Sequence, residues 1–174
     1  MMGSPTIASL FAQRVVVGVG EMSVSNNPSI TLSTYALGSC VAVVAYDPFA
    51  KVAGLLHMML PDSRISAEKA ISQPAMFADT GLPLLFKALT GLKGETARVR
   101  LFVAGGASVL CATDSFKIGE RNIHATADYL KRHGYIVRQS ALGGTVNRTV
   151  HLNIGTGAIT LKLPTMTDTL SLAA

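Results

Sequence analysis

Tryptophan is absent from this chain of 174 residues, and cysteine occurs only twice, as Cys40 and Cys111. Two thiols cannot build the multi-bridge framework of a small secreted domain, and a reducing compartment leaves them unpaired. Charge is also scarce. Asp, Glu, Lys and Arg make up 14% of the residues, against roughly 25% in a typical soluble domain. With 49% hydrophobic residues, that scarcity excludes disorder and a long solvated helix or coiled coil. It points instead to strands buried on both faces, or to an apolar surface kept for a partner. Long apolar runs are missing too. Val41–Tyr46 and Val52–Leu60 fall far short of the ~20 residues a spanning helix needs, and no basic residue precedes Thr6–Ala12 as a secretory signal requires. The expectation is a cytoplasmic protein with no membrane insertion. The four histidines (His57, His124, His133, His151) have no metal-ligand spacing, so no structural zinc site is expected.

The formal charge is +5, but the basic residues are scattered and not interleaved with aromatics. That argues against nucleic acid and fits a mild attraction to an acidic protein. The glycine pairs do not make a phosphate loop. Gly18-Val-Gly20 lacks the third glycine and the helix behind it that a dinucleotide site needs, and no P-loop pattern is present.

Length bounds the chain to about one domain. Residues 1–13 read as a mobile leader, 14–163 as a single domain and 164–174 as a loose tail. Arg14–Gly20 reads as a first strand, with a turn at Ser23–Ser29 and an extended stretch at Ile30–Tyr35. Val41–Tyr46 and Val52–Met59 form a hairpin about the turn initiator Asp47-Pro48. The spacing of Phe77, Leu84, Leu85, Ala88 and Leu89 predicts a helix over about 76–92, with Pro83 at its start or a kink. Val99–Ala104 is a strand, and a second helix covers Gly119–His133, stopped by Gly134. Tyr135–Gln139, Thr145–Ile154 and Gly157–Lys162 read as further strands. Seven or so short strands with two helices make an α+β domain, a strand-rich mixed β core with two main helices packed on it.

The sharpest chemistry lies in Thr34-Tyr-Ala-Leu-Gly-Ser-Cys40 and Leu55-Leu-His57. If the hairpin closes with Tyr46 facing Lys51, then, counting outward, Cys40 faces His57. Directly opposed Cβ atoms on one face lie ~4.5–5.5 Å apart, and a slip of one residue would separate them. A free thiol has pKa about 8.5, so a neighbouring imidazole that takes its proton and holds a thiolate ion pair makes it a nucleophile. Gly38 and Ser39 allow a tight turn whose N–H groups could face an oxyanion. The hydroxyl or carbonyl of Thr34 could orient the imidazole, the third role of a triad. The plainer alternative stays open at this level: a buried cysteine acting as a small hydrophobe, and a satisfied core histidine. Cys111 reads as an ordinary core or surface thiol.

Several segments carry a resemblance. They are Val17-Gly-Val-Gly-Glu-Met22, Ser25-Asn-Asn-Pro28, Leu37-Gly-Ser-Cys-Val41, Gly54-Leu-Leu-His57 with Met59-Leu-Pro61, Gly105-Gly-Ala107, Ile118-Gly-Glu-Arg-Asn122 and Gly143-Gly144. The histidine follows the cysteine by seventeen residues. In this order they resemble CheD, the chemoreceptor glutamine deamidase family of bacterial and archaeal chemotaxis, over about Val15 to Lys162. The resemblance implies a fold similar to the deamidase domain of cytotoxic necrotizing factor toxins. It implies catalytic Cys40, His57 and Thr34, a papain-like mechanism, and a glutamine of methyl-accepting chemoreceptors as substrate. Cysteine–histidine chemistry on an amide needs neither a metal nor an organic cofactor. For some members it implies a CheC-type phosphatase as partner. The chain departs from the family pattern at Ala36 and Asn147, where glycine is common, at Ala104, where an aromatic is common, and at Val109, where Met is common. Ala36 bears on the loop before Cys40, while Asn147 is a residue that tolerates a glycine-like positive φ. Two other readings are a non-catalytic interaction module with a vestigial Cys40, and a different cysteine amidase or peptidase.

Overall fold

A computed structural model describes residues 13–109 and 115–173. The leader expected over 1–13 and Cys111 fall almost wholly outside the described residues; only Gln13 is within them. The strands are β1 (Gln13–Val16), β2 (Glu21–Ser25), β3 (Ile30–Leu37), β4 (Val41–Asp47), β5 (Val52–Met58), β6 (Arg100–Gly105), β7 (Val137–Leu142), β8 (Arg148–Asn153), β9 (Ala158–Lys162) and β10 (Thr167–Ser171). The helices are a short α1 (Ala67–Ser72) and the two main ones, α2 (Ala78–Gly91) and α3 (Ile118–Arg132).

Two five-stranded sheets form, in the orders β1-β3-β8-β9-β10 and β2-β5-β4-β6-β7. Both are mixed: β1 runs parallel to β3 and β7 to β6, and the remaining neighbours are antiparallel. Leu32, Val150, Leu152 and Ile159 of the first sheet pack against Ala42, Val44, Tyr46, Leu55 and Phe102 of the second. The other face of the second sheet, with Val41, Val43, Leu56 and Val103, packs under Leu82, Leu85 and Leu89 of α2 and Leu130 of α3. The molecule is therefore an α+β domain in three layers, sheet on sheet with helices outside. Strands β4 and β5 lie in the middle layer, and all fourteen of their residues are buried. This accounts for their continuous apolar runs and for much of the missing charge, since a strand covered on both faces has no solvent side on which to place it.

The expected first strand, Arg14–Gly20, shortens to β1 at Gln13–Val16, and a strand not foreseen, β2, follows at Glu21–Ser25. The chain leaves the first sheet after Val16 and joins the second at Glu21. Gly20 at φ 74° allows that crossing. The turn foreseen at Ser23–Ser29 narrows to residues 26–29, because Ser23–Ser25 pair with β5. Helix α2 begins at Ala78 and runs through Pro83, which therefore marks neither end. The tail is not wholly loose: Thr167–Ser171 pair antiparallel with β9.

The β4–β5 hairpin forms with a register two residues from the expected one. Asp47 pairs with Val52, and Ala42 with His57. The reason is Asp47 itself, whose buried carboxylate accepts from the amides of Phe49, Ala50 and Glu95 and pairs with Arg98 at 2.9 Å. It belongs to the strand, and the loop moves to residues 48–51. Burial alone would raise the Asp47 pKa, but Arg98 and the three amides outweigh it and hold it at about 2. Replacing Asp47 with Ala is expected to cost about 3 kcal/mol in urea unfolding at neutral pH, because it orphans a half-buried guanidinium and three amides. The folded-state pKa is depressed, so this stability is present above the unfolded value of 3.8 and is lost as pH falls through about 2. A loss below ~1 kcal/mol would show that the turn forms without it.

Candidate active site

The site lies at one end of the space between the sheets, where the chain crosses from one sheet to the other twice. One crossing is Val17–Gly20. The other is Gly38–Cys40, between β3 and β4. A bulge after Thr34 breaks the β3–β8 register. Within it Ala36 takes φ 54°, a left-handed conformation that costs an alanine about 1–2 kcal/mol and a glycine far less. The bulge bends β3 toward the second sheet. Asn147, by contrast, is not among the positive-φ residues.

Side chains of alternate residues share a face. Leu32 faces the space between the sheets, as do Leu55 and the run Ala42, Val44, Tyr46. Thr34 therefore points inward beyond Leu32, His57 beyond Leu55, and Cys40 beyond Ala42, packed at the edge of the same core. The partner of His57 is Ala42, and Cys40 is its diagonal neighbour. Because the offset is two residues, the shared face survives. Diagonal neighbours stand roughly 7 Å apart, a separation that the length of an imidazole spans. Ala104 lies in the same row as Ala42 and His57, one strand further on.

Thr34 is fully buried and His57 is 2% exposed. The Thr34 Oγ1 donates to the Val17 carbonyl at 2.8 Å and lies 2.7 Å from His57 Nδ1. A hydroxyl has one proton. Since Val17 takes it, Thr34 can only accept from the ring, so Nδ1 carries the hydrogen. Nε2 is then the basic nitrogen, and among the described residues this buried atom has no hydrogen-bond partner. The Gly20 amide donates to the His57 carbonyl at 2.8 Å, and Glu21 sits opposite His57 in the β2–β5 pair. The Val17 carbonyl and the Glu21 pairing were not legible in the sequence. Their only signal was the segment Val17–Met22.

Burial lowers the His57 pKa, partly offset by the Val17 carbonyl and the Glu21 carboxylate. Burial raises that of Cys40, partly offset by its own backbone N–H. Both shifts favour the uncharged partners. Burial thus works against the thiolate ion pair expected from the sequence and toward a thiol beside a neutral imidazole.

The loop before Cys40 is held by its carbonyls. Gly38 O accepts from Ala107 N at 2.7 Å, Ser39 O from Asn122 Nδ2 at 2.9 Å, and Cys40 O from Gly106 N at 2.8 Å. Among the described residues, no backbone carbonyl accepts from the amides of Gly38, Ser39 or Cys40. Gly105 is indispensable to this packing. Its φ is 110°, and a Cβ there would lie 2.1 Å from the Cys40 carbonyl oxygen.

A family model for CheD, described as CheD chemotactic sensory transduction, matches residues 59–163. A protein of Syntrophus aciditrophicus named "Probable chemoreceptor glutamine deamidase CheD 1" is 47% identical over 148 residues, covering 85% of this chain and 92% of that one. This chain belongs to the CheD family. A Solibacter usitatus member, also named as a probable chemoreceptor glutamine deamidase, is 41% identical over 86% of this chain and 89% of its own. The Thermotoga maritima "Chemoreceptor glutamine deamidase CheD" is 37% identical over 84% and 90%. Alignments of this length in a chain of 174 residues cannot avoid the stretch from Thr34 to His57. A Neisseria meningitidis crystal structure matches 74% of this chain and 62% of its own at 12% identity, with a TM-score of 0.42. At that level the likeness carries no argument.

Proposed function

We propose that this CheD protein deamidates glutamine side chains of chemoreceptors, with Cys40 as nucleophile, His57 as base and acid, and Thr34 as the residue that fixes the ring. The observation that carries this reading is the proton order along Val17, Thr34 and His57, which leaves Nε2 as a free base on the face shared with Cys40. Nε2 takes the thiol proton as Sγ attacks the amide carbon. The amides of Gly38–Cys40, from which no backbone carbonyl accepts among the described residues, receive the developing oxyanion. The imidazolium then gives its proton to the leaving nitrogen, and ammonia departs from a thioester. Water, deprotonated by Nε2, hydrolyses the thioester to glutamate and the free thiol. Among the described residues no helix is long and apolar enough to cross a membrane, and the chain's place is at the cytoplasmic part of the receptor. A CheC-type phosphatase is a second partner proposed on family resemblance alone.

Incubation with a purified receptor cytoplasmic fragment, followed by peptide mass spectrometry, tests this directly. The expected result is Gln→Glu conversion at specific sites. Tight binding without conversion would favour an interaction module, and shortened peptides would favour a peptidase.

Thr34→Val keeps the shape and removes the hydroxyl. The Nδ1 hydrogen then loses its acceptor and the ring its tautomer. The expected result is a kcat about 100-fold lower, with KM little changed and much of the rate kept by Thr34→Ser. Equal kcat for Thr34→Val and the parent in an ammonia-release assay would remove Thr34 from the mechanism.

A further inference from the structure

The geometry points to Asn122 as a positioning residue that sets the distance between nucleophile and base. The inference rests on the roles proposed for Cys40 and His57. Asn122 lies on α3, is 1% exposed, and has no contact with the Thr34–His57 pair among its hydrogen bonds. Its amide nitrogen donates both hydrogens, one to Ser39 O and one to Met59 O, each at 2.9 Å. Ser39 immediately precedes Cys40, and Met59 follows His57 by two residues.

These two carbonyls sit just beyond the end of a ladder. The last β4–β5 pair is Val41 with Met58. The carbonyl of Cys40 faces β6 and accepts from Gly106, so the next backbone rung toward β5 would join Ser39 with Leu60, but the Leu60 amide goes to the Met76 carbonyl at 3.0 Å instead. The strands stop holding one another where the chemistry begins. Asn122 replaces the missing rung with a side chain. An amide suits this task because one neutral nitrogen carries two donors, while a lysine would bring a buried charge. Its orientation is settled, since the flipped amide would set an oxygen against two carbonyl oxygens. Among the described residues, its Oδ1 atom is buried without a hydrogen-bond partner.

The helix is placed for the purpose. A Cβ at Gly119 would lie 2.5 Å from the Gly106 carbonyl oxygen, so only glycine lets the first turn of α3 press onto the segment that also binds the Cys40 loop. Thr126 Oγ1 donates to the Asn122 carbonyl at 2.8 Å, tying the following turn.

The test uses the full chain with Asn122→Leu, nearly the same size and without donors, assayed on a receptor fragment across pH beside the parent and Cys40→Ala. The expected result is kcat about 100-fold lower with KM within about threefold, the cost of misplacing reacting groups by ~1 Å. The rate should also lose its neutral plateau and climb with pH, because a displaced thiol must ionise without His57. If Asn122→Leu does not fold, Asn122→Ser, which keeps one donor, should show the same trend with a loss of about tenfold. A folded variant with the parent's kcat and pH profile would overturn the proposal, as would a loss confined to KM. Conversion by Cys40→Ala at the parent's rate would instead overturn the roles of Cys40 and His57, whatever Asn122→Leu does.

Discussion

Cys40→Ala is expected to lower Gln→Glu conversion by about 10⁵-fold or more while receptor binding and fold persist. Losing the nucleophile of such a unit costs about as much as losing the whole unit, of order 10⁶ in kcat. An amide is a poor electrophile, and no other described thiol stands in the space between the sheets. The substitution removes one sulfur from a half-buried position at the rim of the core, so the stability loss should stay near ~1 kcal/mol. Single-turnover mass spectrometry measures the rate, and thermal melting with a receptor-binding measurement confirms that only chemistry is lost. A rate within tenfold of the parent would exclude a thioester at this position.

His57→Gln is expected to cost about 10⁴–10⁶-fold and to change the pH profile in a specific way. In the mechanism proposed for the parent, the reacting form pairs the Cys40 thiol with a neutral His57. The His57 pKa lies below the usual 6.5 and that of Cys40 above 9.0. As pH falls through the His57 value the base is lost, so the acid limb of kcat/KM should lie below pH 6.5. As pH rises through the Cys40 value a thiolate faces a neutral ring that can no longer protonate ammonia, so the alkaline limb should lie above pH 9.0. Between them the rate should be flat. In His57→Gln the acid limb should vanish, and the residual rate should climb about tenfold per pH unit with the thiolate fraction. An acid limb that survives the substitution would assign it to another group.

Much of the fold is legible in residue order. Asp47-Pro48 located the hairpin, the glycines marked the breaks, and helical spacing found α2 and α3 within two residues of their bounds. Two strand readings failed, for different reasons. Arg14–Gly20 reads as one strand, yet β1 ends at Val16 and the chain pairs again in the other sheet from Glu21, and periodicity within one strand carries nothing about which sheet it joins. The weakly patterned tail was missed as β10 because only alternate residues of that edge strand are partly buried.

Residue types and their spacing set the chemistry on offer: a thiol, an imidazole and a hydroxyl at family spacing, and a charge content low enough to require a layer covered on both faces. How these groups meet depends on packing. The hairpin register depends on where the Asp47 carboxylate finds its donors, including Arg98 and Glu95, far along the chain. The tautomer of His57 depends on the Val17 carbonyl, brought to Thr34 by a crossing between sheets. The charge state of the pair depends on burial, which no spacing records. Each is a contact between segments distant in sequence, so its physical cause appears only after the sheets have packed.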